Sequence, residues 1–285
     1  MKVLVFGQSG QVGRELQASQ AQVAIQSLSR AEADFEDPEH CARHVLKTDA
    51  DAIIIAAAYT QVDQAEKEEP KALMINAQTP CAIACAAAER NLPVVHISTD
   101  YVFDGQGHAP HATDHPVAPR GASGRTKQAG LGMPRASGAI HAVLRTAWVF
   151  SQYGNNFVKT MLRLGAERDA INVVADQLGG PTPASSIADA CINVARQLID
   201  DKRKSGTYHL SGEPDISWAD FARAIFERAG MSCAVNDIAT ADYPTAVRRP
   251  LNSRLDNRAT LDTFGIARPN WAHALDAVLD ARGGT

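Results

Sequence analysis

The chain has few cysteines and aromatics and no long apolar run, and each shortage narrows what it does. The five cysteines, Cys41, Cys81, Cys85, Cys191 and Cys233, are odd in number and include no C-x-x-C pair. That excludes a disulfide framework and points to free thiols in a reducing compartment. Cys81 and Cys85 lie four apart in the Ala-rich run CAIACAAAER, where small-residue packing on one helix face is expected rather than metal ligation. No apolar segment approaches a membrane span, and MKVLVFG opens directly into a strand pattern without signal-peptide flanks. A cytoplasmic protein without a membrane partner is expected. A basic run is missing too: 28 Lys+Arg against 32 Asp+Glu give a formal net charge of −4, which argues against a nucleic-acid partner. His108, His111 and His115 share one Pro/Gly-rich stretch, yet nothing nearby completes a metal signature, and solvated loop residues are expected.

What is there is enough apolar chain, 45% of 285 residues, for a substantial core. Short β-branched runs alternate with helix-length segments: VLVFG (3–7), VAIQSLS (23–29), AIIIAAA (52–58), VVHIST (94–99) and AVLRTAWVF (142–150). Such alternation builds right-handed βαβ units, and the near-continuous apolar character of IIIAAA and VVHI indicates strands covered on both faces. The predicted class is therefore α/β, a doubly wound parallel sheet with a smaller, interleaved C-terminal α+β substrate domain. Residues 1–150 and 184–212 are expected in the first domain, 151–183 and 213–285 in the second. Between Gly105 and Gly138 the periodicity breaks, as in a site-lining loop followed by a short helix.

Gly7, Gly10 and Gly13 form G-x-x-G-x-x-G straight after the first strand. The first allows a tight turn, the second a close approach of backbone to pyrophosphate, and the third close packing of helix on strand. With Ser9, Gln11 and Val12, this turn is expected to hold a dinucleotide on free helix N–H groups, as in a Rossmann fold. About twenty positions on, where an acidic residue would bond the adenosine ribose, stand Ser29 and Arg30. A guanidinium beside a hydroxyl suits a 2′-phosphate and favours NADPH, while Asp34 keeps NADH open and a solvated strand end is the plainer reading of Arg30. Phe35, Ala57, Ala58 and Tyr59 are further expected coenzyme contacts.

STDYVFDG (98–105), AAAYTQVDQAE (56–66), GRTKQAG (124–130), LRTAWVF (144–150), GNNFVKTML (154–162), DQLGGPT (176–182) and RPLNSRLD (249–256) span nearly the whole chain. Together they resemble the dTDP-4-dehydrorhamnose reductases of the extended short-chain dehydrogenase/reductase superfamily, which reduce a 4-keto nucleotide sugar. The resemblance implies a catalytic Lys127, which also grips the nicotinamide ribose of the coenzyme, and Thr99, with Thr99, Asp100 and Tyr101 beside the sugar. It implies Trp148, Asn155, Asn156, Arg249 and Asn252 on the substrate side, and Glu15 as a carboxylate for a Mg²⁺-linked dimer. A core aromatic (Trp148), helix caps (Asn155, Asn156), a solvated loop (Arg249, Asn252) and a solvated Glu15 are the plainer readings. Monomer and homodimer both stay open.

The superfamily also implies a tyrosine four residues before Lys127, a phenol that protonates the forming alkoxide. That position is Ser123, and Leu131 stands where the family usually has Glu. Tyr59, Tyr101, Tyr153, Tyr208 and Tyr243 are followed four residues later by Asp63, Gly105, Phe157, Gly212 and Val247, so the chain contains no Y-x-x-x-K. Three readings follow: Tyr101, or a water held by Ser123 and Lys127, delivers the proton; the chain is a weak or inactive NADP(H)-binding regulatory or vestigial member; or residues 105–140 carry a local sequence anomaly.

Overall fold

The computed structural model describes residues 1–19, 23–136 and 138–283. In its first half the chain runs β1 (Lys2–Phe6), α1 (Gln11–Ala18), β2 (Ala24–Leu28), α2 (Pro38–Lys47), β3 (Ala52–Ile55), α3 (Val62–Ala65), α4 (Glu69–Leu73), a π-helical turn (Met74–Gln78), α5 (Thr79–Glu89) and β4 (Val94–Thr99). The second half runs α6 (Ala122–Ala136), β5 (His141–Thr146), β6 (Val149–Phe150), α7 (Phe157–Glu167), β7 (Ala170–Val174), β8 (Leu178–Gly179), β9 (Thr182–Pro183), α8 (Ala184–Asp200), β10 (Gly206–His209), β11 (Ile216–Ser217), α9 (Trp218–Arg228), β12 (Ala234–Ile238), α10 (Arg258–Phe264) and α11 (Trp271–Gly283).

Six parallel strands form the main sheet in the order β10-β5-β4-β3-β1-β2, so the winding reverses beside β1. A crevice for a ligand opens outside the strand ends at such a reversal. Alternate residues of each strand face opposite ways. Val3, Val5, Ile54, Val95 and Leu144 meet α1 and α8, whereas Leu4, Phe6, Ile53, Ile55 and Val94 meet α2 and α5. Each such buried aliphatic contributes about 1.5–3 kcal/mol. A separate core of Phe150, Val158, Ile171, Phe221, Ile225 and Trp271 unites α7, α9, α11 and the small β7/β12 pair. The chain then returns through α10, which places Phe264 back in the first core.

The structure departs from the sequence expectations at definite places. AVLRTAWVF is two strands rather than one, because Trp148 adopts φ +52 and turns the chain between β5 and β6. The short helix expected before Gly138 has fifteen residues; the Leu131 side chain lies outside the described residues. All five cysteines are free, but Cys85 is exposed rather than packed. His111 is not a solvated loop residue: it is 3% exposed and stacks on Phe103 at 4.5 Å between centroids. No helix among the described residues is long and apolar enough to cross a membrane.

Candidate active site

The glycine turn seats α1 directly on the end of β1. Gly7 has φ +108, and a Cβ there would stand 2.5 Å from the Ala57 nitrogen; a Cβ on Gly13 would stand 1.8 Å from the Gly7 oxygen. Neither position accepts a side chain. Gly10 is the N-cap of α1 with no side-chain cap, and the space its Cβ would fill is open. The first intrahelical acceptor is Gly10 O, bonded by Arg14 N at 2.9 Å. The preceding N–H groups of Gln11, Val12 and Gly13 are therefore free for an anion at the positive end of the helix dipole. These residues fit a dinucleotide pyrophosphate. Asn156 Nδ2 donates to Gln11 Oε1 at 2.9 Å, tying the second core to this turn.

At the outer end of the crevice a cavity of about 370 Å³ is lined by Arg30, Ala58, Tyr59, Glu68 and Lys71 among others. Glu36 accepts from Arg30 Nη2 at 2.7 Å and Lys71 Nζ at 3.0 Å, while Asp34 lies 3.7 Å from Arg30 Nε. Two cations thus share carboxylates at the cavity edge. Ser9 is exposed on the turn. Phe35, expected as a coenzyme contact, is turned inward instead, edge-on to Phe6 at 5.8 Å.

The inner end lies where β4 stops. Thr99 Oγ1 donates to Asp100 Oδ1 at 3.0 Å and accepts from Tyr101 N at 3.3 Å. Asp100 is buried, which pushes its carboxyl up to about 6 against hydrogen bonds from Ser253 and Thr99. Across this turn lies α6, fixed by side chains from the α3–α4 region. Glu66 Oε1 accepts the Ala122 N–H at 2.5 Å, Arg125 grips both oxygens of Glu69 at 2.9 and 2.8 Å, and Asn76 Nδ2 donates to Thr126 Oγ1 at 3.0 Å. Gly124 rests on Tyr101, whose carbonyl oxygen would be 2.1 Å from an added Cβ. One turn on, Lys127 is buried, donates to Ile97 O at 3.1 Å and is pulled down to about 8 by desolvation. His96 lies nearby, with both ring nitrogens buried and unpartnered among the described residues; burial, then the Lys127 charge, pushes it well down. Ser123 is 7% exposed.

On the side where the resemblance places the sugar nucleotide, the Tyr101 phenol faces Arg249, whose Nη2 pairs with Asp63 Oδ2 at 2.6 Å. Trp148 stacks on Trp218 at 3.6 Å between centroids and covers Gly179. Asn155 is exposed and Asn156 caps α7 by accepting from Lys159 N at 3.1 Å. Asn252 is not a solvated loop residue: its amide donates to Gln106 O at 3.3 Å and Ala109 O at 2.8 Å, so it pins the 105–109 loop. Glu15 is not a solvated surface carboxylate either, being 9% exposed and bonded by Ser151 Oγ at 2.5 Å. No cluster of three or more His, Cys, Asp or Glu side chains among the described residues is placed to hold a metal.

A family model described as the RmlD substrate binding domain matches residues 1–283. The chain belongs to the dTDP-4-dehydrorhamnose reductase family. The Sinorhizobium fredii dTDP-4-dehydrorhamnose reductase is 41% identical over 278 residues, covering 95% of this chain and 94% of that one. The Escherichia coli K12 enzyme of the same name is 39% identical over 292 residues, at 98% and 97% coverage. Among solved structures, the Clostridium acetobutylicum dTDP-4-dehydrorhamnose reductase superposes with a TM-score of 0.91 at 34% identity, covering 99% of this chain and all of that one. The Bacillus anthracis family member, solved in complex with NADP, gives 0.90 at 34% identity and 98% and 99% coverage. Sequence reasoning within the family motifs missed what Asp63, Glu66, Lys71, Asn76 and His96 do. Asp63 and Glu66 stood inside a quoted motif, but nothing in their spacing named Arg249 or the α6 N-terminus as partners.

Proposed function

We propose that the chain reduces dTDP-4-dehydro-L-rhamnose to dTDP-L-rhamnose with NADPH. One observation carries the reading: the glycine turn after β1 and Thr99 at the end of β4 lie along the same C-terminal edge of the parallel sheet, with Lys127 hydrogen-bonded to β4 at Ile97 O. The nicotinamide coenzyme supplies the hydride when bound. Gln11, Val12 and Gly13 hold its pyrophosphate through backbone N–H groups, and Arg30 and Lys71 take a 2′-phosphate by exchanging Glu36 for it. Lys127 places a buried positive charge beside the oxygen that becomes negative, where low polarity strengthens its pull. Residues 1–150 and 184–212 then carry the coenzyme, and 151–183 with 213–285 carry the sugar nucleotide, whose diphosphate suits Arg249 and the neighbouring Arg248 and Arg254 at a second cavity of about 370 Å³.

The test is consumption of NADPH by purified protein, followed by absorbance, with and without the keto-sugar. Loss of reduced coenzyme only when the keto-sugar is present supports the reading, and a flat trace at high protein concentration removes it. Ser123 favours a second reading, a coenzyme-binding member without turnover. It expects tight NADP(H) binding by calorimetry on the same flat trace.

A further inference from the structure

Reducing a ketone requires a proton for its oxygen as well as a hydride for its carbon. Resting on the reductase reading, the crevice offers Thr99, Ser123, Lys127 and Tyr101 as sources. Thr99 commits its hydroxyl proton to Asp100 and a lone pair to the Tyr101 N–H. The Lys127 ammonium is buried against Ile97 O. Ser123 is short, and an aliphatic hydroxyl is a far weaker acid than a phenol of pKa about 10.

Tyr101 is held differently. Its N–H is fixed to Thr99, and its carbonyl lies under Gly124 at the first turn of α6. The residue is therefore clamped between the strand end that carries Thr99 and the helix turn that carries Ser123. Its phenol faces Arg249, which Asp63 holds at 2.6 Å and whose buried Nη1 has no partner among the described residues. A guanidinium only donates. It can occupy a lone pair of the phenol oxygen, leaving the O–H free to donate elsewhere.

We propose that Tyr101 is the proton donor of the reaction, oriented by the Arg249–Asp63 pair. The carbonyl carbon gains the hydride from reduced coenzyme, and the π electron pair moves to oxygen, which takes the Tyr101 proton. The phenolate left behind is stabilised by Arg249 and reprotonated from solvent. Burial pushes the phenol up to about 12, with Asp100 adding and Arg249 opposing; a secondary alkoxide is a stronger base still, so the transfer runs downhill.

Tyr101→Phe is expected to lower kcat by about 10²–10⁴-fold, with coenzyme affinity and the KM for keto-sugar little changed. Ser123→Tyr placed in that variant returns a phenol one turn before Lys127 and restores kcat. If the double variant does not fold, Arg249→Gln gives an independent cycle read in kcat alone, since loss of its contact with the diphosphate raises KM in either background: it lowers kcat in the parent protein but adds nothing to the kcat loss of Tyr101→Phe. An unchanged kcat in Tyr101→Phe, a loss confined to KM, or additive losses in kcat with Arg249→Gln overturns the assignment alone. A parent protein that binds coenzyme and never consumes it with keto-sugar removes the assignment and the reductase reading together.

Discussion

At the coenzyme end of the crevice a single added methyl, on Gly13, would stand 1.8 Å from a backbone oxygen. At the other end residue 123, where the resemblance implies a phenol, is a serine, and α6 is anchored without its side chain. The difference lies in what holds each element. The turn after β1 is backbone packed on backbone, with no side chain to give way. The helix is suspended from Glu66, Glu69 and Asn76 and seated through Gly124, and none of these contacts uses the Ser123 side chain. Residue 123 is therefore free to differ without dismantling the frame, whereas residue 13 is not.

The largest effect that sharpens this contrast is expected from Lys127→Met. Removing one buried donor at a developing oxyanion costs about 10²–10³-fold in kcat. Because Lys127 is pulled down to about 8, activity should fall as pH rises through that value and the ammonium is lost. Stability moves the other way. From about pH 8 to the unfolded lysine value near 10.4, the unfolded chain holds more protons than the native one, so stability rises across that window. Thermal melts of Lys127→Met over the same range should lose this rise, and a variant keeping both the rise and the rate would break the comparison. Next comes Gly13→Ala, in which α1 must shift from β1 at roughly 3 kcal/mol. Calorimetry should show coenzyme binding weakened about 100-fold; binding at parental strength would mean the turn is not the coenzyme seat.

How much of this was legible in the sequence follows the range of the forces involved. The glycine turn and the sheet could be read because period and spacing are local properties; β4 ends at Thr99 as the pattern put it, while β1 and β3 stop at Phe6 and Ile55, short of the apolar runs 3–7 and 52–58. The break at Trp148 could not, since a positive φ at a tryptophan is imposed by its stack on Trp218, seventy residues on. The solvated state expected of His111, and offered as the plainer alternative for Glu15 and Asn252, fails for the same reason. Their burial is created by Ser151, Phe103 and the 105–109 loop, which only the folded chain brings near. The α6 anchors likewise join residues fifty or more apart.

A smaller effect is expected at the outer edge of the coenzyme end. Glu36 neutralises the Arg30 and Lys71 charges that a 2′-phosphate would need. Glu36→Gln should shift the ratio of NADPH to NADH affinity about tenfold toward NADPH, and Lys71→Ala about tenfold the other way, roughly 1.4 kcal/mol in each direction. Ratios unmoved in both variants would detach this cluster from coenzyme choice.

The smallest effect tests whether the two cores act together. Asn156 caps α7 through Lys159 N, and its amide also donates to Gln11 beside the glycine turn. Asn156→Ala loses both, at about 1 kcal/mol for the cap, which should appear as a drop in Tm together with a few-fold loss of coenzyme affinity. Asn156→Ser keeps a good cap but has no amide to reach Gln11. It should therefore recover most of the Tm while coenzyme binding stays weakened. If Asn156→Ser recovers both, the cap alone mattered and the glycine turn does not depend on the second core.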